Sequence, residues 1–275
     1  MKTIIGATDF SAAAMNAASY AWDMAKAIGA DLHFLHSFQL PVSYSDVAIM
    51  MSVDEMQHIA EADLKNFITE LKQKKGAEVP VTGEVRMGAF FQELETLCEE
   101  YRPYAVILGS QGTTAAERFF FGSHAVKAMK NLNWPLITVP PGASFHAIKR
   151  IGLACDFNKV VDTMPVEEVR QLLTDFNAEL HILNTAPKEN FDPEVVFESG
   201  MLQEMLEGVT PHYHFITHEN TDTGILEFAE QNGIDLLLVL PRRHSLFDSL
   251  VHKSHTREFV LHSHVPVMAL HNEHA

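Results

Sequence analysis

The chain has 275 residues, of which 47% are hydrophobic and 20% charged. That balance excludes disorder and supplies core for one or two domains without a metal or disulfide staple. Its 20 basic residues face 36 acidic ones, a formal charge of −16 with histidine neutral, which argues against nucleic acid or an anionic membrane surface as partner.

From the N-terminus, Thr3 to Thr8 is an apolar run that predicts a buried strand. Ser11 is placed to cap a helix whose inward positions include Met15, Ala18, Trp22, Ala25 and Ile28, and Gly29 ends it. Leu32 to Phe38 reads as the second strand and about Asp54 to Lys75 as the second helix, with Met50, Met51 and Met56 read as helix core in preference to the lining of a groove. Val79 to Arg86 is the third strand, and Phe90 to Tyr101 is a helix stopped before Pro103. Ala105 to Leu108 is the fourth strand, His124 to Leu132 a helix and Leu136 to Val139 the last strand of this series. No run reaches the roughly 20 apolar residues of a membrane span. No long apolar leader follows Met1, and Cys98 and Cys155 lie far apart in sequence. The expectation is a cytoplasmic protein with two reduced, buried thiols.

The series then recurs. Ile4-Ile5-Gly6-Ala7-Thr8-Asp9-Phe10-Ser11 resembles Ile151-Gly152-Leu153-Ala154-Cys155-Asp156-Phe157-Asn158, with Asp9 and Asp156 separated by 147 positions. Gly29-Ala30-Asp31-Leu32-His33 matches Asn177-Ala178-Glu179-Leu180-His181 at an offset of 148. Ala105 to Leu108 matches Leu236 to Val239, and Trp134 to Ile137 matches Val265 to Met268, both at 131. The second copy is therefore shorter in its middle, and the repeat is a whole domain. The turn-forming stretch Pro140 to Ser144 marks the junction, giving expected domains at 1–142 and 147–275. Strands in the second copy are expected near Arg150–Ala154, Glu179–Asn184, His212–Thr217, Leu236–Leu240 and Val267–Leu270. Alternating strands and helices with right-handed crossovers predict two tandem doubly wound α/β domains, each with a parallel sheet covered on both faces.

In such a sheet a ligand lies at the carboxyl ends of the strands. After the fourth strand comes Gly109-Ser110-Gln111-Gly112, and Gly122-Ser123 follows just before a helix, a G-x2-G-x9-G-S pattern. Glycines allow close backbone approach, successive N–H groups form an anion nest, and a helix start offers free donors to a phosphate. It is neither a Walker loop, which would continue Gly-Lys-Ser/Thr, nor the dinucleotide fingerprint after the first strand. Arg118 in the loop is a candidate clamp for a terminal phosphate, and His124 sits at the start of the following helix; for both, solvent exposure is the plainer reading.

Both copies resemble universal stress protein domains, so the chain resembles a tandem universal stress protein. The first copy matches that family's ATP-binding pattern at Gly109, Gly112, Gly122 and Ser123. The resemblance implies five parallel strands in the order 3-2-1-4-5, with ATP, with or without Mg, across the switch between strands one and four. It places Asp9 against the adenosine, flanked by Thr8 and Ser11, and puts adenine near the end of strand two, at His36, Ser37 and Phe38. It also implies pairing of the two domains through their last strands, Leu136 to Val139 against Val267 to Leu270, and a homodimer beyond that.

The second copy departs from the motif. Leu240, Arg243 and Lys253 stand where the first copy has Gly109, Gly112 and Gly122; only Ser254 keeps its type, and Pro241 removes an N–H. One nucleotide site and one degenerate domain are expected, with a side-chain anion site at Arg242, Arg243 and Lys253 as the alternative. Twelve of the 16 histidines lie at or beyond His146, including His212 and His214 on one strand face, but none has zinc-site spacing. No Ser/His/Asp or paired-carboxylate arrangement is visible, so no dedicated catalytic machinery is expected. The reading is a stress or signalling module that binds ATP. A nucleotide-independent interaction or small-ligand module, and a slow ATP hydrolase, stay open as alternatives.

Overall fold

The computed structural model describes residues 2–40, 52–110, 124–157, 160–185, 193–241 and 255–271. In the first half, β1 (Thr3–Ala7), α1 (Ala12–Ile28), β2 (Asp31–Phe38), α2 (Val53–Lys75), β3 (Val81–Met87), α3 (Phe90–Tyr101), β4 (Ala105–Gly109), a helix α4 described over residues 124–131, and β5 (Leu136–Val139) follow one another. The second half runs β6 (Arg150–Ala154), α5 (Val160–Thr163), α6 (Val166–Phe176), β7 (Glu179–Asn184), α7 (Pro193–Met205), β8 (His212–Phe215), α8 (Thr221–Gln231), β9 (Leu236–Val239), α9 (His255–His262) and β10 (Val267–Ala269).

Local chemistry sets the helix ends. Ser11 accepts from the Ala14 N–H at the start of α1, and Gly29 closes it in the left-handed region at φ +64°, where a side chain is strained. Ser52 and Glu55 form a reciprocal capping box on α2. The third strand begins later than its apolar pattern suggests. Val79 is buried, but Pro80 has no N–H for the ladder, so β3 starts at Val81 while the Pro80 carbonyl accepts from Leu32 N at 2.9 Å.

The ten strands form one sheet, ordered β3-β2-β1-β4-β5-β10-β9-β6-β7-β8. Each half is parallel and has the order 3-2-1-4-5. At the centre β5 and β10 run antiparallel, with Leu136 opposite Ala269, Ile137 opposite Met268 and Thr138 opposite Val267. These residues are almost fully buried, and the Thr138 hydroxyl reaches the Val267 carbonyl at 3.4 Å.

Helices cover both faces. On one, Trp22 of α1, Leu64, Phe67 and Leu71 of α2, Leu172 of α6 and Leu202 of α7 share a core that spans both halves. On the other, Leu94 and Leu97 of α3, Met129 of α4, Ile225 of α8 and Phe259 of α9 do the same. The junction is tied down as well. Asn16 donates to the carbonyls of Pro140 and Ala143, Phe145 meets the Tyr20 ring edge-on, and Lys2 pairs with Asp175 across the halves. Cys98 is on the buried side of α3, and that burial pushes its thiol up to about 12; Cys155 is also buried.

Candidate functional site

The strand order reverses between β1 and β4, whose neighbours β2 and β5 lie on opposite sides. Crossovers leave in opposite directions there, and in open α/β sheets ligands bind in the crevice outside the carboxyl ends of the strands at such a point. Thr8 to Ser11 follow β1 into it, and Gly109 and Ser110 end β4 beside them.

The turn after β1 is built from hydrogen bonds. Thr8 N continues the ladder to the Leu35 carbonyl at 2.9 Å, and the Thr8 hydroxyl accepts from Phe10 N at 2.9 Å. Phe10 lies at φ +67°, a region that non-glycine residues seldom occupy. Its ring stacks on His36 at 4.3 Å and packs against Phe67. His36 Nδ1 donates to the Thr8 carbonyl at 2.8 Å, clamping the end of β2 to the turn. Asp9, half-buried, accepts from Ser11 N at 3.2 Å, and Ser11 then caps α1. This turn leads into the start of α1, where Ala13 lies against Gly109 at the end of β4.

Two features mark that end of β4. A Cβ on Gly109 would stand 3.2 Å from the Ala13 carbonyl oxygen, so a side chain there would have to push the first turn of α1 back by a few tenths of an ångström. Ser110 N donates to the Val139 carbonyl at 2.9 Å, while its hydroxyl is buried, with the residue 1% exposed and no hydrogen-bond partner for Oγ among the described residues. An orphaned buried hydroxyl at a strand end suits a ligand oxygen.

Of the residues named from sequence, Thr8, Asp9, Ser11, Gly109 and Ser110 meet at this crevice. Ser37 is half-buried within β2, next to His36. His124 begins the described part of α4, exposed, with its ring edge-on to Phe90; partial burial and then Lys127 hold it below its ordinary value. Gln111, Gly112, Arg118, Gly122 and Ser123 lie outside the described residues, as do Arg242, Arg243, Lys253 and Ser254 of the second copy and Met50 and Met51. His36 and Phe10 are the residues whose part in the turn sequence reasoning missed. The signal was present in the repeat, since Asp9-Phe10 is matched by Asp156-Phe157, and His36 is matched by Asn184 at the offset of 148.

The second half repeats this turn with different chemistry. Cys155 N donates to the Leu183 carbonyl at 3.0 Å, Phe157 N reaches Cys155 Sγ at 3.4 Å, and Asn184 Nδ2 donates to the Cys155 carbonyl at 2.8 Å. Phe157 also takes positive φ, +52°, but is only 2% exposed and lies near Tyr213 and Phe215. At the end of β9, Leu240 packs partly buried against the core. The helix after the turn is broken into α5 and α6 by Pro165, where α1 of the first half is continuous. Among the described residues, no group of three or more His, Cys, Asp or Glu is placed to hold a metal ion.

The family model described as "Universal stress protein family" matches the chain twice, over residues 1–140 and 147–271. The chain belongs to the universal stress protein family. As a tandem universal stress protein it has a full-length relative in Synechocystis sp., itself a universal stress protein. That relative is 23% identical over 295 residues, covering 98% of this chain and 99% of its own. The crystal structure of a universal stress protein from Archaeoglobus fulgidus DSM 4304 superposes with a TM-score of 0.72 at 19% identity, covering 98% of this chain and 96% of its own. A functionally unknown protein from Pseudomonas aeruginosa PAO1 gives 0.65 at 12% identity, covering 98% and 92%. At these identities the likeness to solved structures is one of fold. No described helix is long and apolar enough to cross a membrane.

Proposed function

We propose that this universal stress protein holds one adenine nucleotide, ATP with or without Mg, in its first half, and that occupancy of this site biases its conformation or its choice of partner. The observation that carries the reading is the placement of G-x2-G-x9-G-S. Its first glycine ends β4 at the switch point, beside the Asp9 turn and the orphaned Ser110 hydroxyl. In this reading Asp9 engages the ribose side of the nucleotide, with Thr8 and Ser11 shaping the turn around it. Ser37 lies toward the base. Ser110, Gln111, Gly112, Gly122, Ser123 and Arg118 surround the phosphates, with His124 at the helix start behind them. When bound, Mg would offset the repulsion between a triphosphate and a chain of net charge −16.

The second half, in this reading, binds no nucleotide. Its Leu240, Arg243 and Lys253 replace the glycines, and Phe157 fills the space behind its turn. We treat 1–142 and 147–275 as its two domains and the cytoplasm as its compartment. Dimerisation would use surfaces other than β5 and β10, which are paired with each other.

Mass spectrometry of small molecules released from freshly purified full-length protein tests the reading. Adenine nucleotide at up to one equivalent supports it. Protein that carries none, and whose melting temperature millimolar Mg-ATP leaves unmoved, favours the nucleotide-independent interaction module.

A further inference from the structure

The second half has a titratable cluster far along the sheet from the β1–β4 crevice. His181 of β7 lies between His212 and His214 of β8, with ring centroids 5.0 and 5.2 Å away and the planes within 27° and 12° of parallel. His181 Nδ1 and His214 Nε2 are 3.0 Å apart. That bond needs one N–H and one lone pair, so it cannot survive protonation of both rings. The His181 side chain is 13% exposed, and its Nε2 is buried without a hydrogen-bond partner among the described residues.

The surroundings offer little to a second positive charge. Glu179 on β7 stands 3.7 Å from His181 Nε2, beyond hydrogen-bond distance, with its side chain 64% exposed. Arg150 on β6 adds positive charge. From α8, Phe228 packs on His214 at 4.8 Å. The equivalent place in the first half is built differently. His33 bonds Thr82 at 2.7 Å and Glu84 at 3.3 Å, and Arg86 joins Glu84 to Glu100. Burial holds His33 below its ordinary value as well, but there Glu84 is hydrogen-bonded and opposes it, whereas at His181 two further imidazoles add to the burial and Glu179 stands farther off.

β8 is the outermost strand and pairs with β7 alone. We propose that the His181, His212 and His214 stack is an acid-sensitive latch, fastening β8 to the sheet while neutral and releasing it when a second imidazole takes a proton. Release bares the β7 edge and separates Tyr213 and Phe215 from Phe157.

Burial first, then the neighbouring histidines, holds His181 below its ordinary value of 6.5, Arg150 adding to the effect and Glu179 opposing it. His214 is lowered by burial and then by His212. The freed strand therefore binds protons more readily than the docked one. Docking is strongest above about pH 6.5 and weakens as pH falls through the lowered values, by about tenfold per pH unit for each extra proton bound on release.

Hydrogen exchange followed by mass spectrometry on the full-length chain, from pH 7.5 to 5.0 and corrected for intrinsic rates, tests this. The expected result is a loss of protection at His212–Phe215 that sets in near pH 6.5 and steepens toward about tenfold per pH unit for each extra proton bound on release. The loss at Val81–Met87, where Glu84 faces His33, is expected to be clearly smaller. The double variant His212→Thr/His214→Glu, which copies the first half, is expected to remove the excess loss. Parallel loss at both edge strands in the unmodified protein, or an undiminished acid response in a folded double variant, would overturn the proposal; the wild-type comparison decides alone if the variant does not fold.

Discussion

His36 shows how one side chain can hold two strand ends together. Its Nδ1–H satisfies the Thr8 carbonyl and its ring supports Phe10 at positive φ, a conformation that persists only where its surroundings fix it. His36→Ala leaves that carbonyl short of a donor and is expected to lower stability by about 1–3 kcal/mol, measured by urea unfolding. His36→Asn, which copies Asn184, is expected to retain most of it; an equal loss in both variants would mean that ring stacking, not the hydrogen bond, holds the turn. Ser110 has the opposite balance. Its hydroxyl has no partner among the described residues, so Ser110→Ala is expected to leave stability unchanged or raise it by up to about 1 kcal/mol while weakening nucleotide binding roughly tenfold. A variant that loses stability instead would assign the hydroxyl a structural task. Gly109 is a poorer probe than its place in the motif suggests, because any Cβ there presses on Ala13 before a nucleotide is considered. The motif's spacing was legible in the sequence, whereas this double duty was not, since it depends on how closely α1 crosses the end of β4.

Elements were read most reliably where two signals coincided. Helix α1 has Ser11 before its apolar stripe and Gly29 after it, and α3 stops before Pro103, so their ends could be placed closely. β3 was placed too early because Val79 continues the apolar pattern while Pro80 cannot continue the ladder. The β8, β9 and β10 strands end one or two residues earlier than expected, although Ile216 N and Leu270 N still donate to the Asn184 and Val239 carbonyls just beyond β8 and β10. The capping box of α2 gives a clean element-scale test, because Ser52 and Glu55 are both exposed and bond mainly to the helix start. Ser52→Ala is expected to cost about 1 kcal/mol. Adding Glu55→Ala is expected to cost less than the sum of the single changes, because each residue bonds the other's backbone. Strict additivity in a double-mutant cycle would show that the two bonds act independently.

At the scale of the whole molecule, the repeat offsets made the duplicated fold legible, and the shared cores explain why the copies form one body. Two hydrophobic layers run across both halves, joined by the antiparallel contact of β5 and β10. Trp22 and Trp134, the chain's two tryptophans, both lie in the first half, whereas far-ultraviolet circular dichroism reports on both halves. The two signals are expected to trace one unfolding curve; a tryptophan transition displaced from the dichroism transition would show that the halves unfold separately. What the sequence hid is the cross-strand chemistry. The His36 clamp and the His181 stack both depend on parallel register between strands distant in the chain. The asymmetry between the halves is the central point, with a glycine motif in the first copy and bulky or charged residues at the matching sequence positions of the second. Calorimetric titration of ligand-stripped full-length protein with Mg-ATP addresses it most directly. One site per chain is expected, abolished by Gly122→Val and unaffected by Lys253→Ala; a flat titration, or two equivalent sites, would contradict it.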